Sequence, residues 1–187
     1  MSNLSPEISG KQLELLTEIV PKLARVAVLG TSTIQGNAQA LRETEAAAGA
    51  FGVKLQYLDL LGPEDIETAF RAASAARAEA VLVLNSPVLN SQRKQLTALA
   101  VKNRLPGIYD RREFVDDGGL MSYGTNLADL SRRAATYVDK ILKGAKPADL
   151  PVEQPKKFEF IINLKAAKQI GLTIPPNVLV RADNVIK

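Results

Sequence analysis

Two hydrophobic rhythms alternate along the first half of this chain. Residues 25–29 (RVAVL), 53–58, 80–84 (AVLVL) and 107–109 are short runs in which nearly every position is apolar or β-branched. Such runs predict strands buried on both faces. Between them the apolar positions fall at helical spacing. A helix is predicted from about Ile34 to Ala50, closed by Gly52, and another opens at Pro63-Glu64-Asp65 and runs to about Arg77. A third spans 90–103, after Pro87. Ahead of them Ser5-Pro6-Glu7 combines a hydroxyl cap, a proline at the first turn and an acid at the positive helix end. Leu13, Leu16, Val20 and Leu23 follow near a helical repeat until Pro21 and the next turn interrupt it.

Strands alternating with helices of this length predict βαβ crossovers, and so an α/β fold with a doubly wound parallel sheet. The two most apolar strands, 25–29 and 80–84, are expected at its centre. After Tyr109 the pattern changes. Residues 110–117 are polar, a loop or one helical turn, and 120–123 form a further strand. Asn126 is placed to cap a helix running to Lys143, with Leu127, Leu130, Ala134, Val138 and Ile141 on one face and Gly144 past its end. Residues 147–155 read as extended, 158–162 as a last strand, and Asn163 as the cap of a short helix to Ile170. Pro175-Pro176 then precedes a final helical turn.

A length of 187 residues suits one domain, and 46% hydrophobic with 24% charged residues is ordinary for a globular chain. Cysteine and histidine are both absent. That removes disulfides, thiolate metal sites, the cysteine nucleophile and the usual general base near neutral pH. No metal and no cofactor is expected. The net charge of +4 is scattered, its densest pieces being Arg111-Arg112, Arg132-Arg133 and Lys156-Lys157, and the chain lacks tryptophan. A nucleic-acid partner is therefore not expected. No apolar run reaches the roughly 20 residues of a membrane span. The first ten residues lack both the basic start and the apolar stretch of a secretory signal.

In an open parallel sheet, ligands bind beyond the carboxyl ends of the strands. Four segments qualify: Thr31 and Ser32 after the first strand, Asn85 and Ser86 after the third, Tyr109 and Asp110 after the fourth, and Tyr123 at the end of the fifth. Together they offer anion donors, a carboxylate and two rings, a set suited to a small zwitterion with an apolar body. Each has a plainer reading. Thr31 and Ser32 suit a helix cap, Asn85 and Ser86 suit a turn before Pro87, Asp110 suits an exposed ion pair with Arg111 or Arg112, and Tyr123 suits packing. The segment from Gly30 to Gly36 lacks both the G-x-G-x-x-G spacing and the Gly-Lys-Ser/Thr end of a phosphate loop. No spacing marks a catalytic nucleophile, so the chain is not read as an enzyme.

Several motifs carry a family resemblance. Tyr123-Gly124, the run from Ile141 to Pro151 (ILKGAKPADLP), the stretch 162–165 (INLK) and 171–176 (GLTIPP) resemble the closing part of the substrate-binding proteins of ABC transporters. The subgroup is the one associated with aromatic amino acids and related solutes. The opening 4–16 and 25–29 resemble the point where that family's chain enters its second lobe.

The resemblance implies a Rossmann-like lobe of a type I periplasmic binding protein, with residues 1–187 forming the second lobe and the return segments, and the first lobe absent. It implies a small amino-acid-like solute held without chemical change and an ABC permease as partner. Thr31 and Ser32 would hold a carboxylate, Asp110 an ammonium, and Tyr109 or Tyr123 would pack on the side chain. The family is periplasmic, whereas the chain as written, with no signal, would be cytoplasmic. The rival reading is a cytosolic ligand sensor or an enzyme on the same fold. Two further expectations follow. The helix from Asn126 has lost its usual sheet and should drive homo-oligomerisation. One wall of a cleft should bind solute weakly.

Overall fold

The computed structural model describes residues 7–151, 153–155 and 157–187; the predicted helix start at Ser5 and Pro6 lies outside the described residues. Helix α1 (Glu7–Ile19) leads into β1 (Arg25–Gly30), followed by α2 (Gln35–Phe51), β2 (Lys54–Asp59), α3 (Asp65–Ala75) and β3 (Ala80–Val83). Where the sequence predicts one helix over 90–103, the chain forms two, α4 (Pro87–Ser91) and α5 (Arg93–Lys102). Pro87 starts the first early, and Gln92, at φ −103° and ψ 16°, leaves the helical geometry between them. Then come β4 (Gly107–Tyr109), the single turn α6 (Arg112–Asp116), β5 (Met121–Thr125) and α7 (Leu127–Leu142). The chain returns as β6 (Phe158–Asn163), α8 (Leu164–Ile170), α9 (Pro176–Leu179) and β7 (Asn184–Ile186).

All seven strands join one sheet in the order β2-β1-β3-β4-β5-β6-β7. From β2 to β5 every pairing is parallel. As expected, β1 and β3 lie inside the sheet rather than at an edge. Alternation along β1 divides the core. Val26 and Val28 join Leu13, Leu16 and Ile19 of α1 on one face, while Ala27 and Leu29 join Ile66 and Phe70 of α3 on the other. The sheet is thus covered on both sides.

Two features of the second half depart from the sequence reading. Strand β6 runs antiparallel to β5, with Met121 opposite Ile162 and Thr125 opposite Phe158. The intervening α7 does not lie across the sheet as a crossover helix must, so the chain comes back along the strand it left. The short β7 then pairs parallel with β6 and closes the edge, a strand not predicted from three half-buried residues.

Helix α7 is capped as predicted: the Asn126 side chain accepts the Asp129 N–H at 2.9 Å, and Gly144 at φ 97° ends it. None of its residues is buried, and Val138, Ile141 and Leu142 are 54%, 41% and 82% exposed. The segment after it is tied back by the Tyr137 hydroxyl, which donates to the Pro151 carbonyl at 2.8 Å, and by an Arg133–Glu153 ion pair. Helix and return segment form an arm standing off the sheet.

Candidate ligand cleft at the carboxyl edge of the sheet

A cavity of about 260 Å³ opens where β3, β4 and β5 end. Ile8, Ile34, Leu84, Pro87 and Leu127 give it an apolar wall, and Asn85, Asp110, Arg111 and Thr125 bring polar groups to it. The location follows from the fold. Parallel strands end together at one edge, and the chain must turn there into loops and helix starts.

Asp110 is the most unusual group in this wall. Only 14% of its side chain is exposed, and among the described residues its Oδ1 is buried without a hydrogen-bond partner. Its Oδ2 faces Arg111 Nε across 3.9 Å, the far limit of an ion pair. Burial pushes the carboxyl up to about 6, the pull of Arg111 notwithstanding. Thr125 Oγ1 is also buried and unpartnered, and it lines the same cavity. Buried polar atoms are nearly always paired, so two unpartnered ones on residues that line a single cavity make this wall the candidate ligand site.

Of the other predicted residues, Asn85 alone lines this cavity with Asp110. Its side-chain oxygen accepts from Asn90 Nδ2 at 3.2 Å, and its carbonyl accepts from Asn37 Nδ2 at 2.7 Å. Thr31 and Ser86 are buried beneath the edge. Their hydroxyls lie 2.7 Å apart, and Thr31 Oγ1 also reaches the Leu60 carbonyl at 3.0 Å. They join the β1, β2 and β3 ends to one another. Ser32 gives both its N–H and its hydroxyl to Asp59, at 2.7 and 2.6 Å, and those bonds hold the Asp59 carboxyl below its usual range. Neither Thr31 nor Ser32 caps α2, whose N-cap is Ile34 and whose end carries no side-chain cap bond.

The two rings also sit apart from the cleft. Tyr109 is fully buried on the α3 and α5 side, stacked on Phe114 at 4.6 Å, and burial raises its hydroxyl far above the usual value. Tyr123 is half-buried, stacked on Phe158 at 5.9 Å with Phe160 edge-on at 6.4 Å. Its carbonyl accepts from Gln12 Nε2 at 2.8 Å, which fastens α1 to β5. Sequence reasoning passed over Thr125, placed Leu127 only on the apolar face of a helix, and gave Arg111 no role of its own beside Asp110. The available signal was position: all three lie within two residues of a strand end.

Among the described residues no group of carboxylates could hold a metal ion, and no helix is long and apolar enough to cross a membrane. The chain belongs to the ABC transporter substrate binding protein family, whose model matches residues 4–186. It is similar to the structure of a conserved domain protein from Vibrio cholerae, at 27% identity and a TM-score of 0.89, covering 98% of this chain and 61% of that one. It is also similar to an ABC domain from Streptococcus pneumonia in complex with L-Trp, at 25% identity and a TM-score of 0.86, covering 96% and 62%. A ligand-free, open substrate binding protein with adhesive properties from Clostridium difficile shares the fold at 21% identity and a TM-score of 0.71 over 95% and 59%. The fold is the Rossmann-like, doubly wound lobe of a type I periplasmic binding protein. This chain spans about three fifths of the length of those structures. A comparison with curated proteins finds no match.

Proposed function

We propose that this chain is the second lobe and return segments of the solute-binding component of an ABC-type transporter, holding a small amino-acid-like ligand without changing it chemically. The observation that carries the reading is the buried, unpartnered Asp110 Oδ1 at the polar end of an apolar cavity. A carboxylate kept from water and without a partner is costly, and an ammonium group from a ligand relieves that cost. The family match and the L-Trp complex of a similar domain support an amino acid in this role. In this reading the working protein is periplasmic, a first lobe supplies the opposite wall, and a membrane permease receives the solute. Binding proteins of this kind close two walls around a ligand. One wall alone therefore binds weakly.

The test is a calorimetric and NMR titration of the chain with L-tryptophan, L-phenylalanine, L-tyrosine and L-leucine. The expected result is saturable binding weaker than about 10 µM that shifts the amides around Asp110. Absence of saturable shifts with all four would overturn the reading. A sub-micromolar constant would overturn the half-site part alone.

A second element of the proposal is a homo-oligomer formed through α7. The supporting observation is the exposure of Val138, Ile141 and Leu142 in the second half of that helix. Exchange of the arm between two copies is a low-cost way to cover it.

A further inference from the structure

We infer that Asp110 and Arg111 form a clamp for both charged ends of a free α-amino acid, with Arg111 rather than Thr31 or Ser32 receiving the carboxylate. This rests on the amino-acid reading above and deepens it.

The argument begins with which donors remain open. The Ser32 N–H and hydroxyl are already bonded to Asp59, so a second carboxylate arriving there would meet a fixed negative charge. Thr31 is buried, and its hydroxyl lies between the Leu60 carbonyl and Ser86. Neither lines the cavity. Arg111 does, with a side chain one third exposed, and it precedes the single turn of α6 in extended geometry. Its planar fork of N–H donors matches a carboxylate better than a hydroxyl does.

The spacing is the second observation. Asp110 and Arg111 stand 3.9 Å apart at their closest charged atoms, too far for a good hydrogen bond. A ligand whose ammonium and carboxylate share one carbon presents two opposite charges at about the separation of this pair. Its ammonium can bond the Asp110 carboxylate and the Thr125 hydroxyl once these side chains, buried in the empty wall and without partners among the described residues, turn toward it. Its carboxylate then meets Arg111, together with the side-chain N–H groups of Asn85, whose own oxygen is occupied by Asn90. The ligand body is left against Ile34, Leu84 and Leu127. Asp110, Thr125, Arg111 and Asn85 then each have a partner for a group that the empty wall leaves without a good one.

The clamp makes a prediction that a single-point ammonium site does not: removing either ligand charge should cost binding, and each loss should map to one residue. The experiment titrates L-tryptophan and L-leucine against L-tryptophanamide, L-leucinamide and the deaminated acids indole-3-propionate and 4-methylpentanoate. Wild type, Arg111→Gln and Asp110→Asn are compared, with far-UV circular dichroism to confirm folding. Each amide and each deaminated acid should bind wild type about tenfold or more weakly than its parent. Arg111→Gln should bring the amino acids down to the level of their amides and leave the amides unchanged. Asp110→Asn should weaken amino acid and amide together.

Amides that bind wild type as well as the acids overturn the clamp while leaving the amino-acid reading in place. So does an Arg111→Gln variant that weakens acid and amide equally. If neither amino acid binds wild type, the clamp and the reading beneath it both fail. The wild-type series decides the question even if a variant does not fold.

Discussion

Gly124 passes the backbone carbonyl of Asp110 so closely that no side chain fits between them: a Cβ built on Gly124 would overlap that oxygen. The contact lies just past the point where β4 and β5 pair, Tyr109 against Ser122, and it fixes the height at which Asp110 leaves the sheet. Gly124→Ala should therefore destabilise the chain by about 1–3 kcal/mol, the usual cost of overpacking, and should also displace the carboxylate. Gly49, inside α2 with open space where a Cβ would go, is the matched control. Gly49→Ala should instead stabilise by about 0.5–1 kcal/mol. Urea unfolding of both variants checks the pair.

The raised Asp110 pKa has a stability consequence whose sign is fixed. Its folded value of about 6 lies above the ordinary carboxylate value because burial disfavours the charge; Arg111 opposes the shift and Glu113 adds to it. The folded state thus holds the proton more tightly than the unfolded state, and stability falls as pH rises from the ordinary carboxylate range through about 6. Asp110→Asn should remove that loss. At pH 7.5 it should be more stable than wild type by about 1–2 kcal/mol, several degrees in Tm, and the difference should vanish at low pH. Thermal melts from pH 4 to 8 measure it. A variant that gains stability while losing ligand is the signature of a group held for function, whereas an exposed ion pair would show neither effect.

Ligand binding should follow the opposite pH course. An ammonium needs the ionised Asp110, so affinity for L-tryptophan or L-leucine should rise between pH 5 and 7 and then level off. Calorimetry at three pH values checks it, and in Asp110→Asn the slope should disappear.

Thr31 and Ser86 should matter for folding rather than binding. Their 2.7 Å hydroxyl contact is fully buried, so Thr31→Val leaves the Leu60 carbonyl and the Ser86 hydroxyl each short of a partner. A loss of about 1–3 kcal/mol is expected, with ligand affinity unchanged in whatever fraction remains folded. Denaturation together with the amino-acid titration separates the two effects.

Much of the fold was legible because burial on both faces writes itself as unbroken apolar runs, as in Val26 to Leu29 and Ala80 to Leu84. The direction of β6 was not, since the residues of a strand carry no mark of which way its neighbour runs. The path of the chain through α7 decides it. In the candidate cleft, the placement of Asp110 and Asn85 on the cavity wall was legible from their positions at strand ends. Tyr109 was misplaced because nearness to a strand end does not tell which face a side chain takes. Ile108 faces the α1 side, so its neighbour Tyr109 faces α3 and α5. Ser32 misled for another reason: its bond to Asp59 joins residues 27 positions apart, which no local pattern reveals.

Self-association through α7 is checked by sedimentation velocity. A clean monomer of 20.1 kDa at micromolar concentration would count against it. If association is found, replacing both Val138 and Ile141 with Asp should abolish it. Neither side chain is buried within the chain, so the melting of the isolated monomer should change little, within about 0.5 kcal/mol per site.

The arm that carries α7 is joined to the body by β5 and β6 lying side by side, paired from Met121–Ile162 to Thr125–Phe158. Beyond Ser122 and Ile161, where β4 and β7 no longer pair with them, the two strands form a ribbon that bends readily across its flat side and resists bending within its plane. Whatever α7 is fastened to is thereby restricted to a swing about one axis. Thr125, the last residue of β5, and Leu127, the first of α7, stand where the ribbon passes into the arm, and both line the candidate cavity. A molecule seated against those two residues would touch the junction of arm and body.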